Sequence, residues 1–306
     1  MLTDEQIKER VNYIGASEAA AVLGLSRWAT PLSVWAVKTG QIQAEDISEK
    51  LSVKLGNKLE QTVAELFMEE TGKKVQRVNE TIFHPSYPFI GTNLDRRVVG
   101  ERSILQCKTC SAWKAKEWDD EEIPREYIIQ EMHELAVSGA ERAYIAVLIG
   151  NQDFKWKVIE RDEKALQDLI DREVEFWHGF VVPKIMPHVM SRDRDTLSSL
   201  FPEAEEGKSI TLDDAAMATC EILEGMEEDL KGLQNQVETK KNELRAMLGD
   251  AESGIAGDWE IHWANMKTKR LDIAGLTDKH PDIAKEFYKL TTTRRFLVGK
   301  TNKKGE

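Results

Sequence analysis

Apolar positions recur along this chain at several spacings, and each spacing predicts an element. From Ile14 to Gly40 they predict two short helices. The first carries Ala19, Ala20, Ala21 and Leu23, is capped by Ser17 and stops at Gly24; the second opens at Pro31, carries Leu32, Val34 and Trp35, and closes at Gly40. A longer helix is predicted over 54–71, where Leu55, Leu59, Val63, Leu66 and Phe67 share one face and Gly72 ends the pattern. The period then shortens to two. Strands are predicted over 75–83, 91–99 and 103–109, separated by His84-Pro85-Ser86 and Gly100-Glu101. A helix over 126–138, strands over 143–149 and 154–160 joined by Gly150-Asn151-Gln152-Asp153, and an amphipathic helix over 161–184 follow. Helices enclosing a sheet of four or five strands imply an α/β or α+β core ending near Pro187.

These patterns divide the chain into a domain over 1–190, a polar linker over 191–209 and a helical extension over 210–306. In the extension Met226, Leu230, Leu233, Val237, Leu244 and Met247 follow alternating three- and four-residue steps, with Lys240 as a polar interruption, as a coiled-coil seam requires. A two-stranded element is expected to pair 259–265 with 294–298. Residues 203–250 hold 13 acids and 5 bases, whereas 266–304 hold 11 bases and 4 acids, which reads either as solvated surface or as an acidic arm beside a basic, DNA-contacting tail.

Composition bounds the function. With 41% hydrophobic and 31% charged residues the chain is globular rather than disordered. Lys+Arg 42 against Asp+Glu 54 gives a net charge of -12, so a general nucleic-acid coat is excluded and any bound DNA needs a local basic lining. No run of about 18 apolar residues exists to cross a membrane, and the first residues, MLTDEQIKER, lack an apolar signal core. The three cysteines do not make a disulfide framework, so a reducing cytoplasm is expected.

The chemistry concentrates in Gly91-Thr92-Asn93-Leu94-Asp95 and Leu105-Gln106-Cys107-Lys108-Thr109. Strand alternation puts Gln106 and Lys108 on one face, with Cys107 opposite, and an adjacent strand can bring Asp95 to the same edge. Metal-assisted phosphodiester hydrolysis needs such a set: oxygens hold the cation, which acidifies water, and an ammonium stabilises charge at phosphorus. Cys107-Lys108-Thr109-Cys110 also fits C-x-x-C, but lacks two further ligands for zinc; His84 and His133 have no metal-ligand spacing.

The segments IGASEAAAVLGLSRWATPLSVWAVKTG, GNKLEQTVAELFMEETGKKV, HPSYPFIGTNLDRR, LQCKTCSAWKAKEW, YIIQEMHELAVSG and AYIAVLIGNQDF, colinear over roughly 8–185, resemble the YqaJ-like viral recombinase family, relatives of phage lambda exonuclease within the PD-(D/E)XK nucleases. The resemblance implies a restriction-endonuclease-like core with a central mixed sheet. It implies Mg²⁺-dependent 5′-to-3′ digestion of double-stranded DNA, with two Mg²⁺ ions or Mn²⁺ in their place, leaving 3′ overhangs for recombination by strand annealing. Glu60, in Gly56-x-x-x-Glu60, resembles the family's helix-borne acid, Asp95 its metal-binding Asp, Lys108 its catalytic Lys, and Gln130, in Tyr127-x-x-Gln130, its active-site Gln. The Cys107 carbonyl would be a further metal ligand, and Arg10, Ser17 and Arg27 would hold a 5′-terminal phosphate. Also implied are double-stranded DNA ends and a single-strand annealing protein as partners, a homo-oligomer of the trimeric-ring kind whose channel would carry bases such as Arg96, Arg97, Lys114 and Lys116, and a bacterial host cytoplasm.

One position departs from the family pattern: Gln106 stands where the family has Glu in E-x-K. A Gln carbonyl can ligate a cation but brings no charge, so an attenuated or inactivated form is expected, either a natural Q-x-K variant or a Glu→Gln change that traps substrate. Two other readings follow, an endonuclease or RecB-like nuclease on the same core, or an inactive DNA-end-binding recombination scaffold.

Overall fold

The computed structural model of the chain describes residues 6, 9–119, 122–289 and 294–300. It forms two compact units, 1–202 and 203–306. In the first, β1 (Ile14–Gly15), α1 (Ala16–Val22), α2 (Pro31–Lys38) and α3 (Leu51–Thr71) precede the strands β2 (Val75–Arg77), β3 (Ile82–Phe83), β4 (Ile90–Thr92), β5 (Arg96–Val98) and β6 (Ser103–Cys110). A 3₁₀ segment (Ala112–Trp118), α4 (Arg125–Ser138), β7 (Arg142–Ile149), β8 (Asp153–Glu160) and α5 (Glu163–Phe176) follow.

The five-stranded sheet runs β2-β5-β6-β7-β8, with β6 and β7 parallel and the other neighbours antiparallel. The sequence of β7 explains its central place. Ala143, Tyr144, Ile145, Ala146 and Val147 are consecutive and all buried, which suits a strand covered on both faces, whereas the edge strand β8 alternates. The parallel β6–β7 pair requires a crossover, and α4 supplies it. That helix therefore lies across the sheet over the β6 residues whose chemistry matters.

Several predicted boundaries shift. The expected strands over 75–83 and 91–99 each break in two, because β3 and β4 leave the main sheet to join β1 in a three-stranded sheet. Gly91 is required there. A Cβ at Gly91 would stand 2.8 Å from the Phe83 ring and 3.1 Å from that of Tyr13. Gly91→Ala is therefore expected to cost about 1–3 kcal/mol by overpacking, read as a lower thermal midpoint; an unchanged midpoint would show that these rings yield freely. Ser17 is not the cap of α1: Gly15 is, and its N–H is taken by Glu18 Oε2 at 2.8 Å. The helix predicted over 161–184 stops at Phe176 and continues as a wide turn over Trp177–Val181.

The linker expected over 191–209 is corrected at its first half. Residues to Pro202 belong to the first unit. There α6 (Arg194–Leu200) packs Leu197 and Leu200 against the cluster of Leu32, Val34 and Trp35. Asp193, fully buried, accepts from the Thr30 hydroxyl and the Met190 N–H. Polar composition misled there because Asp193 is a tertiary cap rather than a solvated charge.

In the second unit α7 (Asp214–Leu248) is one helix of 35 residues, opened by Asp213 accepting from Ala216 N–H at 3.0 Å. Its seam residues Met226, Leu230, Leu233, Val237, Leu244 and Met247 are all exposed. The β-hairpin joins β9 (Ser253–Ala256) to β10 (Trp259–His262), not to 294–298. The two-residue loop Gly257-Asp258 closes it, with Gly257 at φ 59°, a local pairing that costs far less loop entropy than the distant one expected. α8 (Ile273–Lys279) and α9 (Pro281–Glu286) follow. Of the basic tail, 290–293 and 301–306 lie outside the described residues.

Candidate active site

The site grows from the β5–β6 pairing. Arg96 faces Leu105 and Arg97 faces Ile104, so Asp95 emerges beside the middle of β6, where its Oδ2 accepts from Cys107 N–H at 2.8 Å. On β6 alternation sends Leu105 and Cys107 toward Val63, Phe67 and Tyr144, and turns Gln106 and Lys108 to the opposite face. There α4 covers them. Lys108 Nζ donates to Gln130 Oε1 at 2.9 Å and sits 4.9 Å from the centre of the Tyr127 ring. Gln130 Nε2 in turn donates to Glu134 Oε1 at 3.0 Å.

Asp95, Gln106, Lys108, Gln130, Glu134 and Glu60 line one cavity of about 440 Å³. Glu60 enters from α3 and accepts from Arg96 at 2.6 Å. Arg96 itself is 3% exposed and also donates to Gln61, so it is not the free surface base expected there, whereas Arg97, Lys114 and Lys116 are exposed. Burial raises the Asp95 carboxyl to about 6, against the opposing Cys107 hydrogen bond and Lys108 charge. Burial likewise lifts Glu134 to about 7, opposed by Gln130, and holds Glu131 well above the carboxylate range.

Arg10 and Ser17 line the same cavity, with Arg10 donating to Ser17 Oγ at 2.7 Å. Their platform is braced from below. Lys38, its side chain fully buried, donates to the Arg10 carbonyl and pairs with Glu18 at 2.7 Å. Lys38→Met should remove that brace and leave Glu18 without its cation, at a cost of about 3 kcal/mol; a melting midpoint matching the parent's would count against the brace. Arg27 stands outside the cavity wall, paired with Glu117 at 3.1 Å and with Glu126, and lies over the Trp28 ring. Glu131 and Glu134 escaped the sequence reading, although Glu134, four places beyond Gln130, shares its helical face. Asn57, Arg77 and Asn93, also in the wall, carried no sequence signal.

The donors suit a hard divalent cation: carboxylate and amide oxygens, with Gln106 Oε1 buried and without a hydrogen-bond partner. Among the described residues no three Asp, Glu, His or Cys side chains already form a cage. Likewise no helix among them is long and apolar enough to cross a membrane.

Residues 7–141 match the model of the YqaJ-like viral recombinase domain. The uncharacterized protein YqaJ of Bacillus subtilis (strain 168) is 39% identical over 302 residues, spanning 97% of this chain and 94% of its own. Among solved structures, the alkaline exonuclease LHK-Exo from Laribacter hongkongensis superposes with a TM-score of 0.52 at 19% identity, over 60% of this chain and 94% of its own. The same enzyme in complex with dAMP gives 0.51 at 20% identity, over 64% and 99%. These likenesses show that the mixed sheet and its helices form the PD-(D/E)XK fold. With a relative this similar over nearly its whole length, the chain belongs to the YqaJ-like viral recombinase family.

Proposed function

We propose that this chain is a Mg²⁺-dependent 5′-to-3′ exonuclease that degrades double-stranded DNA from its ends and leaves 3′ single strands for recombination by annealing. The observation that carries the reading is the convergence of Glu60, Asp95, Gln106, Lys108 and Gln130 on one cavity that also holds Arg10 and Ser17. Glu60, Asp95, the Gln106 amide and the Cys107 carbonyl would hold the cation or cations, Mn²⁺ serving as a substitute. Bound there, a divalent ion supplies Lewis acidity and lowers the pKa of water.

The remaining steps belong to the chain's own groups. Lys108, oriented by Gln130, presents an ammonium to the scissile phosphate and steadies charge gathering on its oxygens. Arg10 and Ser17 offer a guanidinium fork and a hydroxyl for a terminal 5′ phosphate, in the same cavity where Lys108 would meet the next phosphodiester. Arg27 would join this clasp only by leaving Glu117 and Glu126. A ring of copies enclosing the duplex would let an acidic chain retain DNA, and an annealing protein would receive the strand it exposes.

The test is digestion of 5′-phosphorylated linear duplex with Mg²⁺, comparing the native chain with Gln106→Glu. Mononucleotide release by at least the Glu form is expected, and digestion by neither form would overturn the reading. A second reading, a DNA-end-binding scaffold without catalysis, is favoured by the neutral Gln106 and predicts that result. Ends bearing 5′ phosphate should be cut about tenfold faster than 5′ hydroxyl ends, a difference Arg10→Ala should erase. Equal rates on both ends would remove the clasp, and cleavage of closed circular duplex would replace the exonuclease by an endonuclease.

A further inference from the structure

We infer that Glu134 is the metal-binding carboxylate of this site in place of the one missing at position 106. The inference rests on the metal-dependent reading above and names a ligand that reading does not contain. Its first support is position: Glu134 is 1% exposed, yet it belongs to the wall of the cavity that holds Asp95 and Gln106. It lies close enough to Asp95 to feel its charge.

The second support is the pattern of missing partners. Gln106 Oε1 points from β6 into a buried position with no hydrogen-bond donor. Glu131, one turn before Glu134 on the same face of α4, is fully buried, and neither of its oxygens has a partner. Among the described residues no cation is ion-paired with Glu131 or Glu134: Lys108 donates to Gln130, and His133, whose charge reaches Glu134, is paired with Glu173. Glu134 thus lines a polar cavity without an ion-pair partner, a setting that a cation from outside the chain would complete.

The third support is how Glu134 is held. Gln130 accepts from Lys108 and donates to Glu134 Oε1, so a single amide ties this carboxylate to the lysine across the cavity. Such outer hydrogen bonds orient the ligands of metal sites. A carboxylate delivered from α4 restores the charge that β6 lacks, which allows Gln106 to remain as a neutral oxygen donor. Glu131 lies outside the cavity wall and is not assigned as a ligand.

Mn²⁺ binding by the full chain, measured by the electron paramagnetic resonance of free Mn²⁺ and by calorimetry, tests this without reference to turnover. Glu134→Gln should weaken Mn²⁺ binding by about tenfold or more, and Gln106→Glu added to it should restore affinity to within about threefold of the native chain. Melting in EDTA shows whether each variant is folded; should the Gln variant unfold, Glu134→Asp, which keeps the charge but shortens its reach, should bind about three- to tenfold more weakly. Native affinity in Glu134→Gln, or Mn²⁺ binding that appears only when Gln106 is changed to Glu, overturns the inference. If Asp95→Asn abolishes binding while Glu134→Gln does not, the inference fails and the nuclease reading stands. If neither the native chain nor Gln106→Glu binds Mn²⁺ or digests DNA, both fail.

Discussion

Lys108→Met is expected to slow DNA digestion by about 10²–10⁴-fold while leaving the first unit folded. Methionine keeps most of the stem that lies against Tyr127 and removes the ammonium that Gln130 orients. A residue that merely packed would show a small rate effect and a stability loss; an electrostatic one shows the reverse. The pH profile adds a sign. Asp95, near 6, must ionise to hold a cation, so digestion by the native chain should fall as pH drops through about 6. Lys108 is one of the charges that lowers the Asp95 carboxyl, so its removal should carry the acid limb of the residual activity to higher pH. Single-turnover nucleotide release against pH, with melting midpoints alongside, reads both effects. A rate within about threefold of native would sink the role given to Lys108.

How far the chain discloses this site depends on what kind of interaction places each residue. Strand alternation alone put Gln106 and Lys108 together and Cys107 opposite, because a period of two is a local property of the backbone. The Tyr127-x-x-Gln130 spacing placed Gln130 on one helical face, but spacing could not reveal that α4 turns this face onto β6; the parallel crossover does that. Arg10 and Ser17 meet through a contact seven residues apart, within reach of sequence reasoning. Arg27 is carried elsewhere by Glu117 and Glu126, some ninety residues distant. Glu131 and Glu134 carry no sequence mark of burial, because Glu is a common residue of exposed helix. Only the tertiary fold buries them.

Breaking the pair His133–Glu173 should be the largest single loss of stability in the first unit. His133 on α4 has no exposed surface; its Nδ1 lies 2.8 Å from Glu173 Oε1 on α5 and its Nε2 3.0 Å from the Gly91 carbonyl on β4. Three elements around the site are therefore pinned by one ring. Burial opposes protonation of His133, but the charge and hydrogen bond of Glu173 outweigh it and raise the pKa above 6.5. Glu173→Ala leaves a buried imidazole with an unpartnered nitrogen beside a void, a change worth about 3–5 kcal/mol and a midpoint lower by about 6–20 °C for a unit of this size. Replacing both residues with leucine should recover most of that loss, since an apolar pair has no charge to desolvate. The pH dependence distinguishes an ion pair from simple packing. With a raised folded pKa, the pair's contribution is fully present below about 6.5 and is lost as pH rises through the raised value. In Glu173→Ala the two largest causes that favour the imidazolium are gone and burial is opposed only by the Gly91 hydrogen bond and the Glu134 charge, so the stability that protonation of His133 adds at low pH shrinks. Asp95, raised to about 6, withdraws stability as pH rises between roughly 4 and 6 in both proteins and cancels from the difference, whereas Glu134 feels the His133 charge and belongs to the titration being measured. The gap between native and variant midpoints should therefore be widest near pH 5 and narrow toward pH 9. A gap that is flat across that range would mean His133 is neutral in the native fold and that packing alone joins α4 to α5.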